Sequence, residues 1–222
     1  MPGEPSIRRA AVWVTWLALT ACTATAPITS EFPKPVVEPI PLRVGIRYTD
    51  EFKNYVFRQK IRGEQGWVVM MGSANVAMFG QVLDGMFEDS VDLDNPETRP
   101  RDKRNLDAYI EPEVESFEFA APMEWDTDVF TVWITYRLNL YDSESRLVAS
   151  WPVRAYGQSR HNVYNFLSAD KALAEATTVA MRDAGAYVAI YFEDEPRIRE
   201  WLREEGTLQK RDRRSARGLR NK

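Results

Sequence analysis

The sequence predicts an α+β domain: an antiparallel sheet with two helices packed on one face, in the order strand, helix, short strand, meander, helix. Three observations carry this. Residues 129–141 alternate apolar and polar side chains without a break. Residues 73–88 and 168–192 repeat apolar side chains at spacings of three and four. Strand-like stretches rich in β-branched and aromatic residues flank both helical patterns.

In chain order, Leu42, Val44, Ile46 and Tyr48 alternate with Arg43, Gly45 and Arg47, the pattern of a half-buried strand. Phe52 to Arg58 reads as a second strand, or as a continuation after a turn at Thr49-Asp50-Glu51. Gly63 to Gly66 is a turn before Trp67 to Met70. Ser73 is placed to N-cap the first helix, which shows Val76, Phe79, Val82, Leu83, Met86 and Phe87 on one side and Gln81, Asp84 and Glu88 on the wet side. Gly80 and Gly85 either weaken it or permit close approach to a sheet. Ser90 to Leu93 is a short strand, and Asp94 to Asn105 is wholly polar, an exposed loop.

The meander follows. Ala108 to Phe119 is its first strand; Ala108, Ile110, Pro112 and Val114 share a face until Ser116, where Phe117 and Phe119 take over. A flip of phase inside a strand predicts a β-bulge, and Pro112 predicts an edge or irregularity on one side. Val129 to Tyr141 turns Phe130, Val132, Ile134, Tyr136, Leu138 and Leu140 inward. After a turn at Asp142 to Ser145, the third strand faces Leu147, Ala149, Trp151, Val153 and Ala155 inward. Ser168 is placed to N-cap the second helix, whose stripe is Ala172, Leu173, Ala176, Val179, Ala180, Ala184, Tyr187 and Val188. Its alanines allow it to lie close on the sheet. Pro196 suits the first turn of a last short helix, Arg197 to Glu204.

The ends of the chain have a different character. Ile7-Arg8-Arg9 is a charged leader, Ala10 to Ala21 is an apolar run too short to span a bilayer, and Leu19-Thr20-Ala21-Cys22 reads as a lipobox. Arg8-Arg9 lacks the continuation expected of twin-arginine export. The division expected is a lipoprotein signal peptide over 1–21, a lipidated Cys22 with a proline-rich tether over 22–41, one domain over 42–204, and a basic, disordered tail over 205–222. The tether holds five prolines between Thr23 and Pro41; it reads as a semi-rigid spacer or as an unordered linker. Acylation with palmitate-type chains at Cys22 would hold the protein at the periplasmic face of the cell envelope. Thr23, rather than Asp, after the cysteine leans to the outer membrane over the inner.

Composition narrows the chemistry. With 44% hydrophobic and 12% aromatic residues the chain is a folded one. Its net charge of −4 divides into +6 over residues 210–222, +1 over residues 1–22 and −11 over the body, which does not suit nucleic acid. Cys22 is the single cysteine and His161 the single histidine, so disulfides, thiolate catalysis and zinc sites of ordinary composition are not expected, and neither a cofactor nor a metal is. Glu111, Glu113 and Glu115 lie on alternate positions of one strand and solvate its wet face; a carboxylate-pair hydrolase built from them, or from Glu118, Glu124, Asp126 and Asp128, is the less economical reading. No catalytic residue is assigned. Aromatics crowd the meander at Trp125, Phe130, Trp133, Tyr136, Trp151, Tyr156 and Tyr164. Trp133 is out of phase with the inward set, so Trp133, Tyr141 and Tyr156 form a candidate partner or lipid surface. The basic tail has only charge to offer an anionic surface.

The stretches Pro41 to Tyr48 with Glu51-Phe52, Ser73 to Phe79 with Met86-Phe87, and Asp107 to Phe119 resemble a group of proteobacterial envelope lipoproteins, over roughly residues 41–202. In element order the chain is also similar to the ABC-transport auxiliary lipoproteins and the lipopolysaccharide-assembly lipoprotein (LptE-like). The resemblance implies a small periplasmic α+β domain that binds partners and has no enzymatic activity. It transfers no site residues. The expected function is that of a lipid-anchored accessory protein in envelope biogenesis or transport, with an envelope protein partner. The alternative is a module that binds a ligand or glycan.

Overall fold

A computed structural model describes residues 23–29, 31–60, 66–96, 105–122, 128–160 and 168–205. Residues 1–21, expected to be a signal peptide, Cys22, Trp125, His161, Tyr164 and the residues beyond 205 lie outside the described residues. In chain order the elements are β1 (Thr23–Pro27), β2 (Ile40–Ile46), α1 (Asp50–Lys53), β3 (Val56–Lys60), β4 (Gly66–Met70), α2 (Gly72–Met86), β5 (Phe87–Asp92), β6 (Ala108–Ala120), β7 (Val129–Asp142), β8 (Leu147–Arg160), α3 (Ala169–Tyr191) and α4 (Pro196–Glu204), with a 3-10 turn at Phe192–Asp194.

The fold is α+β, but its main sheet is mixed. That sheet has the order β5-β2-β6-β7-β8. The meander β6-β7-β8 is antiparallel. β2 runs parallel to both of its neighbours, β5 and β6, which corrects the all-antiparallel expectation. Connectivity is the reason. The path from β2 to β5 passes through β3, β4 and α2, a crossover long enough to bring the chain back to its starting edge, as parallel pairing requires. A second sheet, with order β1-β4-β3, branches from this crossover.

The phase flip in β6 is a bulge, with register shifting between Val114 and Ser116. It turns Phe117 and Phe119 toward the small sheet. Phe57 of β3 lies 4.7 Å from the Phe117 ring, and Trp67 of β4 lies 5.6 Å from Phe119. Pro112 sits where β2 has already ended, since the β2–β6 pairing stops at Ile46 and Ile110. Its missing N–H therefore leaves no ladder bond unmade. The edge strand β8 carries Pro152, and its Tyr156 N–H donates to Asp183 of α3 at 3.0 Å, so part of this long edge is blunted.

Helix ends differ from expectation. Ser73 does not cap α2; Met71 occupies that position with no side-chain bond. The N–H groups of Met71 and Gly72 instead both donate to the Tyr55 carbonyl at 3.1 Å, which seats the helix start against the preceding turn. The start of the 52–58 stretch is helical, because the Thr49 hydroxyl accepts the Phe52 N–H at 3.2 Å and caps α1. Ser168 is the N-cap of α3 as expected, and its carbonyl accepts the Ala172 N–H at 3.0 Å, but its side chain makes no cap bond; its hydroxyl bonds Asp170 and holds that carboxyl below the usual range. The buried side of α3 includes Thr177, Met181 and Gly185, while Val179 and Tyr187, expected inside, are 39% and 41% exposed. Two faces must be covered at once, the sheet and α2, and this sets the helix's rotation. Leu147 also faces out, because the β7–β8 register shifts between Leu140 and Tyr141.

The largest correction concerns residues 23–41. They are not a free tether. β1 pairs with β4 from Thr23 to Pro27. Ala26, Ile28 and Phe32 are buried, and Pro35 lies so close to α2 that a Cβ on Gly85 would stand 2.6 Å from the proline ring. Lys34 pairs with Asp84 at 2.6 Å, and Arg182 of α3 donates to the Glu31 carbonyl at 3.2 Å. Proline-rich chain is extended, and extended chain serves as a strap along a helical groove as well as it serves as a spacer.

The β7–β8 turn is organised by Asp142. Its carboxylate accepts N–H groups of Glu144 and Arg146 at 2.9 Å each and the Arg146 guanidinium at 2.7 Å. Burial alone would raise this carboxyl, but the Arg146 N–H and guanidinium and the Glu144 N–H outweigh it and hold it below the usual range. Asp142→Asn is expected to lose about 1–3 kcal/mol near neutral pH. The folded value is depressed, so the contribution is complete above the unfolded carboxylate range and fades as pH falls through the folded value. Urea titrations of both proteins at several pH values check this: their stabilities should converge below about pH 4.

Candidate functional site

The helices cover one face of the meander and leave the other open. Outward positions of β6, β7 and β8 carry Tyr109, Glu111 and Glu113, then Trp133, Arg137, Asn139 and Tyr141, then Ser150, Arg154 and Tyr156. Alternation places them there, since each inward neighbour is needed by the core.

Two of the sequence-predicted surface residues come together. Trp133 and Tyr156 are directly opposed across β7 and β8. Their ring centres are 6.0 Å apart, and they are 44% and 45% exposed. This is an aromatic pair at one end of the open face. Tyr141 does not join it. It lies eight positions further along β7, about 27 Å away at strand spacing. There it is half-buried and stacks on Tyr109 with centres 4.7 Å apart, while the Arg47 guanidinium sits 4.5 Å from the Tyr109 ring centre. Partial burial, then the Glu111 and Glu113 carboxylates, raise the Tyr141 hydroxyl above its ordinary value.

Between the two aromatic groups runs a polar ladder. Arg137 bonds Glu115 at 2.9 Å, Asn139 donates to Glu113 at 2.9 Å, and Ser150 donates to Asn139 at 2.7 Å. The strand glutamates thus hold cross-strand partners, a structural use of carboxylates that sequence alone left open as catalytic candidates. Among the described residues no group of three or more His, Cys, Asp or Glu side chains is placed to hold a metal ion. The other aromatics of the meander divide: Phe130, Tyr136 and Trp151 are core, whereas Trp125 and Tyr164 lie outside the described residues.

A second exposed patch was not anticipated. On α3, Tyr187, Ile190 and Tyr191 are 41%, 62% and 48% exposed, and the two tyrosine rings lie 4.8 Å apart. Of the three, only Tyr187 belongs to the stripe expected to be buried; Ile190 and Tyr191 extend the apolar run at the helix end beyond that stripe. Among the described residues, two clefts flank the strap. The apolar one, lined by Phe32, Pro35, Met78, Val82 and Ala186, encloses about 130 Å³ beside the strap. A broader one of about 440 Å³ is bordered by Lys34, Glu38, Asp84 and Glu88. No helix among the described residues is long and apolar enough to cross a membrane.

No family model matches the chain, and no curated protein does. Solved structures to which the chain is similar include a Xanthomonas campestris protein of the DUF330 family, at 13% identity and a TM-score of 0.49, covering 76% of this chain and 94% of that one. A candidate lipoprotein of Caulobacter crescentus shares 10% identity with a TM-score of 0.37, over 58% of this chain and 80% of that one. A homologue of a neuraminyllactose-binding hemagglutinin from Helicobacter pylori shares 11% identity with a TM-score of 0.39, over 81% and 95%. Likeness at this level does not carry function from one protein to another, and the expected likeness to the lipopolysaccharide-assembly lipoprotein is not shown by it.

Proposed function

We propose that the chain is a non-enzymatic envelope lipoprotein, acylated at Cys22 and held at the periplasmic face of a membrane, the outer membrane in preference to the inner. The observation that carries this is the linear order of a charged leader, a short apolar run, small residues and a single cysteine, Leu19-Thr20-Ala21-Cys22. The folded body is compatible with it: Thr23, the residue after that cysteine, is already paired with Gly66 in a strand. The body's task is to bind an envelope partner in biogenesis or transport, and the Trp133–Tyr156 pair is the surface offered. Aromatic pairs on an open sheet face desolvate readily and anchor protein contacts.

The test has two arms. Metabolic labelling with palmitate is expected to mark the parent and not Cys22→Ser, and the variant should move from the membrane pellet to the soluble fraction. Equal labelling or equal partition of the two would sink the anchor. Crosslinking in whole cells through a photoreactive group at Trp133 should capture an envelope protein, and a Tyr156→Ala change should weaken capture several-fold. Capture unaffected by Tyr156→Ala removes this surface from the proposal.

A further inference from the structure

We infer that the body seats directly on the phospholipid surface through the end of the molecule where β1 begins, a face that presents Lys60, Gly66 and Arg160; this rests on the acylation of Cys22 proposed above. The argument is chain geometry. A free spacer from Thr23 to Pro41 would let the body move up to ~60 Å from the bilayer at ~3.3 Å per residue. The structure removes that freedom. One peptide bond separates Cys22 from Thr23, and Thr23 is already paired with Gly66 of β4.

Nor is β1 a loose edge. Ala26 and Ile28 are buried, the Ile28 N–H donates to the Met70 carbonyl at 3.2 Å, and α3 packs against the strand. A lipid on Cys22 therefore draws the rim of the small sheet to the headgroups.

Register shows what else lies on that rim. Gly66 is opposite Lys60 across β4 and β3. Trp67, next in the chain, has its ring 5.6 Å from both Phe119 and Phe130. Just beyond these are the strand ends Ala120 and Val129, and Val129 is opposite Arg160. Lys60 and Arg160 are exposed, as is the carboxylate of Asp128. Each cation near an anionic headgroup layer strengthens association roughly fivefold and the Asp128 carboxylate offsets one of the two, so charge adds modestly to the seating that the position of Thr23 imposes. The opposite end is far away. β7 and β8 each run 14 residues from this rim to their shared turn. That places Glu144, in the turn, about 45 Å from the rim.

The experiment uses the mature, acylated chain in vesicles of phosphatidylethanolamine and phosphatidylglycerol that carry a headgroup-attached quencher. A fluorophore is placed on Lys60→Cys, Arg160→Cys or Glu144→Cys. Quenching at positions 60 and 160 is expected to exceed that at 144 at least threefold. Inserting about 15 Gly and Ser residues between Cys22 and Thr23, which adds ~20 Å of slack, should remove most of that difference. Vesicle-bound protein quenched equally at all three positions, or most at 144, overturns the seating while leaving the anchor intact. Protein that never binds the vesicles overturns the anchor, and the seating with it.

Discussion

Gly157→Val is expected to leave little or no folded protein. Gly157 sits on β8 under α3, and a Cβ there would fall on the Ala176 carbonyl oxygen and the Ala180 nitrogen, and 3.0 Å from the Ala180 α carbon. These are backbone atoms of a helix, so no rotamer change relieves the clash. The helix must lift along a seam in which Ala172, Ala176, Ala180 and Ala184 are all 0% exposed. Overpacking that side chains can absorb costs about 1–3 kcal/mol. A clash absorbed only by moving a whole helix costs more, about 4 kcal/mol or above, against a total stability of roughly 5–15 kcal/mol. Gly157→Ala brings the same Cβ and should itself lose about 4 kcal/mol, with the two further methyl groups of valine adding to that. Far-UV circular dichroism and urea midpoints check both. An alanine variant within about 0.5 kcal/mol of the parent would mean that α3 rides higher on β8 than described.

Phe79→Ala is expected to cost about 3–5 kcal/mol, the range for truncating a buried aromatic. Phe79 of α2 meets the Phe52 ring at 5.7 Å and the Tyr136 ring at 5.2 Å, both edge to face, and Phe52 stacks on Tyr48 at 5.7 Å. The cluster joins α1, α2, β7 and the end of β2, so a hole at its centre loosens several elements together. Tyr136 adds a polar clasp: its hydroxyl donates to the Asn75 side-chain oxygen at 2.9 Å inside the core. The Asn75 amide nitrogen finds no partner among the described residues. Tyr136→Phe would therefore orphan the rest of the amide and should lose about 1–3 kcal/mol. Denaturant unfolding of the two variants separates the contributions; equal losses would mean that ring packing at Phe79 matters no more than one hydroxyl.

Much of the core was legible as a linear pattern. The inward residues of β7 from Phe130 to Leu140 are all 1% exposed or less at Phe130, Val132, Ile134, Tyr136, Leu138 and Leu140. The bulge near Ser116 and the last helix after Pro196 were equally visible. Each is a local rule, set by side-chain periodicity or by proline's missing N–H. The proposed lipobox is local too, since such a signal is read on extended chain and needs no fold. For the same reason the Cys22 reading is independent of where β1 lies.

Long-range placement followed other rules. Periodicity reports which side chains are buried, not which strand pairs with which, so the parallel partners of β2 had no local signature. The prolines of residues 23–41 imposed extended backbone, but only the groove along α2, open because Gly85 has no side chain, turned that backbone into a strap. Tyr141 and Trp133 share a face by alternation, yet the length of β7 keeps them apart and pairs each with a different ring from a neighbouring strand. Composition and pattern thus determined which side chains of the meander face the core, and they carry the cysteine motif on which the proposed anchor rests. Which surfaces meet, and how closely residues 23–41 are bound to the body, came from packing between residues distant in sequence, because no local interaction reports on them.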